Sequence, residues 1–236
     1  MLARILISLS ILITATLYAD DYGTLIFEDD FERNESQEEK EELTNGWGSN
    51  SKKRANGNKQ VDLRDGAMYI YFHESADHAV SVTHPAEFQN GAIGMRFMLE
   101  NPKDILGLNF ADLQYKAVHA GHLFAAKIGI NDISLQDLKT GVMDLKIREA
   151  RTGKTLSVEQ KKMLKQKQSK VKHSLENGKW YDLVAKVEGD TLSISIDGKE
   201  VATFSSEGIA HPTKRMLRLS VPKQAVVDDV KIWRKN

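Results

Sequence analysis

The sequence predicts an all-β protein: a two-sheet antiparallel sandwich with one inserted surface helix. Three observations carry this reading. Apolar residues alternate at period two in many short segments. Gly-, Pro- or Asn-marked turns separate those segments at regular spacing. One stretch, residues 157–171, replaces the alternation with a Lys- and Gln-rich run that lacks Gly and Pro.

In chain order, residues 24–31 read as a first strand. Asp65-Gly66 forms a turn before a strand over 67–72. Residues 78–83 alternate, and Pro85 is expected to end that strand, because proline donates nothing to a ladder. Asn90-Gly91 reads as another turn, leading to Ile93, Met95, Phe97 and Leu99 on one face. Leu106, Leu108 and Phe110 alternate next, followed by residues 123–130. Residues 180–187 form a strand, and Leu192, Ile194 and Ile196 alternate with Thr191, Ser193 and Ser195. Asp197-Gly198 then supplies the two φ > 0 residues of a type I′ hairpin. Residues 199–204, 216–221 and 226–233 complete the series.

The helix has a start signal. Ser157 stands three residues before Gln160, the spacing of a capping box. Its apolar stripe is thin (Val158, Met163, Leu164 and Val171), so it is expected on the surface. The first and last strands are expected to pair. Their acidic residues, Asp29-Asp30 and Asp228-Asp229, would then be offset, or bridged by Arg33 or Lys231, because like charges directly opposite destabilise a sheet.

The chain has 236 residues, with 33 basic and 33 acidic side chains and no cysteine. Balanced charge gives no footprint for nucleic acid. The absence of cysteine excludes disulfides, thiolate zinc sites and cysteine nucleophiles. Charge is nevertheless unevenly distributed. Residues 28–42 hold nine acidic and two basic side chains, and residues 146–172 hold ten basic and two acidic. Such blocks face water, attract each other or form a basic face for an anionic glycan or a cell surface.

Residues 1–19 have the form of a secretory signal peptide: Arg4, an apolar run over 5–13, and Ala19 before Asp20-Asp21. Leu17 sits where a small residue is usual, so cleavage after Ala15 is an alternative, as is an uncleaved anchor. The apolar run is too short for a comfortable membrane span. The reading is an exported protein, periplasmic or extracellular, with residues 20–236 as its one domain and no membrane span after cleavage.

Several motifs carry a family resemblance. They are Phe27-Glu28-Asp29-Asp30-Phe31-Glu32-Arg33, Gly46-Trp47, Gly178-Lys179-Trp180-Tyr181-Asp182, Val187-Glu188-Gly189-Asp190, Ile196-Asp197-Gly198-Lys199 and Val227-Asp228-Asp229-Val230-Lys231-Ile232-Trp233. Together these resemble the concanavalin A-like jelly roll in its laminin-G and family-16 glucanase sense, and secreted bacterial domains related to 3-keto-disaccharide hydrolases. The resemblance spans most of residues 24–233 apart from the helix insertion. It implies a jelly-roll fold and a polysaccharide or anionic glycan as partner. Family-16 glycosidases carry a Glu-x-Asp-x-x-Glu strand, and this chain has none. The leading expectation is a non-catalytic carbohydrate-binding or cell-surface interaction module. A diverged glycoside hydrolase or lyase comes second, and a structural envelope protein without a small ligand third.

Alternation nominates the site. If Ile93, Met95 and Phe97 face inward, Arg96 faces out; if Leu108 and Phe110 face inward, Asn109 faces out. With Phe124 and Ala126 inward, His122 also points in and Lys127 out; the opposite phase exposes His122. Arg96, Asn109 and Lys127 are therefore the candidate ligand-binding residues, on central strands expected to share the concave sheet. Asn carries both donors and an acceptor, and Arg a planar fork of donors, which suits sugar hydroxyls or a uronate. No catalytic residue is nominated. His119-x-x-His122 offers two imidazoles, short of the three ligands a metal needs, so neither metal nor cofactor is expected. Trp47, Trp180 and Trp233 read as packing residues.

Overall fold

The computed structural model describes residues 22–235, so the signal-peptide reading of residues 1–19 lies outside the described residues. Two antiparallel sheets face each other. The first contains β1 (Thr24–Asp29), β3 (Val61–Arg64), β4 (Ala67–Tyr71), β6 (Asn90–Met98), β11 (Trp180–Glu188), β12 (Thr191–Ile196), β13 (Lys199–Ser205) and β15 (Gln224–Lys235). Its order is β13-β12-β11-β6-β15-β4-β3, with β1 also paired to β15. The second contains β2 (Gly48–Ser49), β5 (Val80–Phe88), β7 (Ile105–Ala111), β8 (His122–Gly129), β9 (Asp132–Asp137), β10 (Gln168–Lys172) and β14 (Lys214–Val221), ordered β10-β9-β8-β7-β14-β5-β2.

The inward faces form a shared apolar layer. Ile93, Met95 and Phe97 of the first sheet and Leu106, Leu108, Phe110 and Phe124 of the second are all buried. Phe110 stacks on Phe124 at 4.5 Å between ring centroids, and Phe88 meets Phe110 edge-on at 6.1 Å. Aromatic pairs at these separations add to the stabilisation from burial alone.

The hairpin at Asp197-Gly198 has φ of 50° and 75°, as a primed turn requires. The terminal strands pair antiparallel, with Asp29 opposite Val230 and Glu28 opposite Lys231. The acids are thus offset, and Arg33 grips Asp29 through two bonds of 2.6 and 2.9 Å. β15 serves two partners on one edge: residues 224–227 pair with β4, and β1 takes the stretch from Val230 to Arg234.

Five expectations are corrected. Pro85 does not end its strand; it lies within β5, at a register irregularity against β14. On its other side β2 pairs only with Val82 and Thr83, so that side of Pro85 has no ladder bond to lose. Asn90 and Gly91 do not form a turn. They open β6, and the single residue Gln89 carries the chain from one sheet to the other. Gly91 is needed there because a Cβ would stand 2.1 Å from the Trp233 carbonyl oxygen.

The insertion, too, is more than one helix. Besides α1 (Ser51–Arg54), the chain forms α2 (Leu145–Thr152) and α3 (Val158–Gln166). Asp144 caps α2 by accepting from the Lys146 and Ile147 amides at 3.0 Å. The capping box of α3 is complete: Ser157 N–H donates to Gln160 and Gln160 N–H to Ser157, at 2.9 and 3.1 Å. The helix stops at Gln166 rather than near Val171, because residues 168–172 pair with β9 as the edge strand β10. No residue of α3 is buried. The fourth and fifth corrections concern His122 and Arg96 and are taken up with the site.

The acidic and basic blocks do not pair with each other among the described residues. The acids are spent locally. Asp29 also accepts from Trp47 Nε1 at 2.9 Å, and Glu41 accepts from the amides of Gln60 and Val61 at 2.9 and 3.1 Å. Asp137 is buried where β9 ends, and its carboxylate collects Thr140, Ser206 and the Gly208 amide, the last at 3.0 Å.

Candidate functional site

Partners directly opposite in an antiparallel pair share a face. Across the second sheet this aligns Lys127, Gly107, Ser220 and Ser81 in one outward row. The next row is Gln136, Ala125, Asn109, Arg218 and Thr83. Small residues (Gly107, Ala125, Ser220 and Ser81) keep part of this face low, and longer polar side chains stand beside them.

A β-bulge brings His122 into the same face. Phe110 pairs with Phe124 but Ala111 with His122, so β8 spends one extra residue, Leu123. That extra residue reverses the alternation beyond it. His122 therefore points outward although Phe124 and Ala126 point inward, contrary to the phase read from the sequence.

The resulting cluster is tightly connected. His122 Nδ1 lies 2.9 Å from Asn109 Oδ1. Arg218 Nη1 stands 3.2 Å from Nδ1 and 3.3 Å from Nε2 of the same ring, and its Nη2 donates to the Ala120 carbonyl at 2.8 Å. With Asn109 Oδ1 as acceptor, Nδ1 carries the proton and Nε2 offers its lone pair to Arg218. Burial, then the charge of Arg218, lowers the His122 pKa to about 4, so the imidazole is neutral at ordinary pH. His119, its ring centroid 6.5 Å from that of His122, is also held below its usual value, first by burial and then by Arg148 and Arg218.

This cluster floors a cleft of about 210 Å³. Asn109, His122, Arg218, Ser220 and Ser81 come from the sheet, and Asn50, Arg54 and His78 stand over it from the β2–α1 region and the start of β5. The lining holds neutral and cationic side chains and no carboxylate. Such a surface can bind hydroxyls and anions. It does not supply the pair of carboxyls that glycosidic hydrolysis uses. A larger hollow of about 630 Å³ lies beside β10, near Asp132, Lys170 and His173. The smaller cleft is the better site because Asn109 is buried, His122 and Arg218 are half-buried, and the three hold one another in place, whereas Lys170 and Lys172 at the rim are exposed.

Of the three residues named from sequence, the structure brings two to one face. Asn109 is in the cleft, and Lys127 is exposed one row and one strand away. Arg96 is on β6 in the other sheet, where it faces Asp228 at 3.1 Å and lies over the Trp180 ring at 4.9 Å. Period-two alternation separates in from out but does not say which sheet a strand joins. Arg218 went unnoticed, yet it has a signal: it is the outward residue between buried Leu217 and Leu219. None of the three tryptophans lines the cleft. Trp47 is buried and bonded to Asp29, and Trp233 lies over Gly94, where a Cβ would meet it at 2.8 Å. Among the described residues no group of three His, Asp or Glu side chains is arranged to hold a metal ion, and no helix is long and apolar enough to cross a membrane.

No protein-family model and no curated protein matches the chain in sequence. Solved structures match it in shape. The laminarinase from Rhodothermus marinus aligns over 90% of this chain and 97% of its own, with a TM-score of 0.60 and 11% identity. A non-specific endo-β-1,3(4)-glucanase of family GH16 aligns over 92% and 93%, with a TM-score of 0.58 and 14% identity. The carbohydrate-binding module CBM66 from Bacillus subtilis aligns over 78% and 93%, with a TM-score of 0.51 and 12% identity. At these identities the likeness is one of fold, and the fold of this chain is the concanavalin A-like jelly roll.

Proposed function

We propose that this chain is an exported, non-catalytic glycan-binding module whose site is the Asn109–His122–Arg218 cleft on the outer face of the second sheet. The observation that carries the reading is this cluster of mutually bonded polar side chains, Asn109 buried and His122 and Arg218 half-buried, in a cleft without a carboxylate. A preorganised set of donors and acceptors limits the entropy lost on binding. About 210 Å³ is below the roughly 300–1,000 Å³ of pockets that take drug-sized ligands, a size suited to one sugar ring of a longer chain. Lys127 extends the polar surface along the same face. The carbohydrate-binding module and the glucanases that share the fold support a glycan as ligand. The signal-like segment supports export.

The test is affinity electrophoresis of the mature protein through gels containing a panel of polysaccharides, with Asn109→Ala as control. Retardation by at least one polysaccharide, lost in Asn109→Ala, is the expected result. The likeness to laminarinases motivates a second arm. Release of reducing ends from the retarding polysaccharide would replace the binding-module reading with a hydrolase.

A further inference from the structure

The face that carries the cleft holds several cations that no carboxylate among the described residues pairs with. Arg218, Lys127 and Arg148 form no ion pair among the described residues. The position of Arg148 is set by backbone contacts. Val118 bridges to Asp144, the His119 amide donates to the Met143 carbonyl at 2.8 Å, and the Leu145 amide to the Ala117 carbonyl at 3.2 Å. These tie the start of α2 to the 117–121 segment, whose Ala120 carbonyl holds the guanidinium of Arg218. Arg148 follows one turn later, exposed, and its charge acts on His119 together with that of Arg218. Across the cleft, Arg54 pairs with Asp77 at 3.2 Å, and both are exposed in their side chains.

This segregation stands out because the whole chain is neutral, with 33 charges of each sign. Several acids are held by partners away from this face: Asp29 by Arg33, Glu35 by Lys59 and Asp137 by the 206–208 loop. Clustered cations repel one another, and an anionic ligand removes that cost. His122 is uncharged, so it adds nothing to the positive charge of the run.

We propose that the ligand is a polyanionic glycan, bearing uronate or sulfate groups, with one acidic group at Arg218 in the cleft and another at Arg148 on α2. This rests on the glycan-binding reading above and adds the chemical class of the glycan and a second anion subsite. The planar fork of Arg matches both carboxylate and sulfate oxygens. α2 is thereby an arm that lengthens the binding face beyond the sheet.

The experiment measures binding of the full mature chain to polygalacturonate, dextran sulfate and laminarin, a neutral glucan, with monomeric galacturonate and a single-stranded oligonucleotide as further probes. One or both acidic polymers bind at least about tenfold more tightly than laminarin, and affinity falls steeply as NaCl rises from about 50 to 300 mM. Which polymer binds distinguishes uronate from sulfate. Arg148→Ala weakens the polymer by about three- to tenfold, while galacturonate affinity and melting temperature stay at the parent values. Laminarin binding as tight as the acidic polymers, with Arg148→Ala silent, overturns this inference and leaves the glycan-binding reading standing. An oligonucleotide bound as tightly as the polymers, and equally weakened by Arg148→Ala, overturns it in favour of a general polyanion surface. Failure of a normally melting protein to bind any of the polysaccharides removes the glycan-binding reading itself.

Discussion

Arg96 and Asp228 face each other across the β6–β15 pair, 3.1 Å apart, on the side of the sandwich away from the cleft. Burial raises the Asp228 pKa; the Asp229 amide that donates to its carboxylate opposes the rise, the Asp229 charge adds to it, and Arg96 opposes it. The Arg96 side chain is 41% exposed, so the pair contributes at most about 1 kcal/mol. Arg96→Ala is therefore expected to lower the melting temperature by a few degrees and leave glycan retention unchanged. Loss of retention at unchanged stability, measured by melting and affinity electrophoresis in parallel, would move the binding face to the first sheet.

Asn109→Ala removes the acceptor that orients His122. About tenfold weaker glycan binding is expected, in line with the usual cost of a lost buried hydrogen bond. Arg218→Ala should cost more, because it also frees the Ala120 carbonyl. Titration calorimetry against the retarding polysaccharide checks both. Equal affinities in parent and variants would place the ligand outside the cleft.

Stability should begin to fall with acidification near pH 6.5, above the ordinary carboxylate range. His122 is held near pH 4 against an ordinary 6.5, and His84, His119 and His211 are also held low, each chiefly by burial. As pH drops through 6.5 the unfolded imidazoles take up protons and the folded ones do not, so the unfolded state gains. The stabilising difference is whole above pH 6.5 and drains away down to about 4. Each group accounts for no more than about 1.4 kcal/mol per pH unit. His122→Asn should flatten the decline of melting temperature between pH 6.5 and 4.5. An unchanged slope would mean that His122 titrates normally in the folded protein.

The two halves of the basic insertion should respond differently to deletion. α3 buries none of its residues, so replacing residues 157–166 by a short Gly/Ser loop is expected to leave a cooperative melt within several degrees of the parent. Extending the cut to residue 174 removes β10 and bares the edge of β9, which should lower stability further and promote aggregation. Scanning calorimetry and light scattering of the two variants would show it; indistinguishable melts would make β10 dispensable.

A chain ending at Gln224 loses nearly all of β15, whose Val226, Val227, Val230 and Ile232 are fully buried between β6, β4 and β1. An insoluble or molten product is expected. A soluble truncation with a cooperative melt would show β15 to be peripheral.

The strands with unbroken alternation were legible. Leu192, Ile194 and Ile196 face inward, and Asp197-Gly198 turns as its residue types require. What stayed hidden depends on contacts distant in sequence. Arg96 and Asn109 are both outward on their strands, but only the pairing partners reveal that they lie on opposite sides of the protein. His122 changes side because of one extra residue opposite Phe110 and Ala111, and nothing in the residues of β8 marks that register. The helix over-reached because Lys-rich segments suit either an exposed helix or an edge strand, and β9 decided between them. Arg218 was readable from its apolar neighbours; its role was not, since Asn109 and His122 stand 109 and 96 positions away from it in sequence.

The middle position of β15 in the first sheet bears on when the protein can fold. Among the described residues β1 pairs only with β15, and β6 and β4 are joined only through it, so three strands made early wait for one made some 200 residues after the first. Contacts this distant in sequence slow folding and leave sheet edges open in the meantime. During synthesis the chain passes through an interval with its first sheet in three pieces, β13-β12-β11-β6, β4-β3 and β1 alone, each with open edges. Mutations that tighten the local hairpins should speed the early steps without shortening that interval.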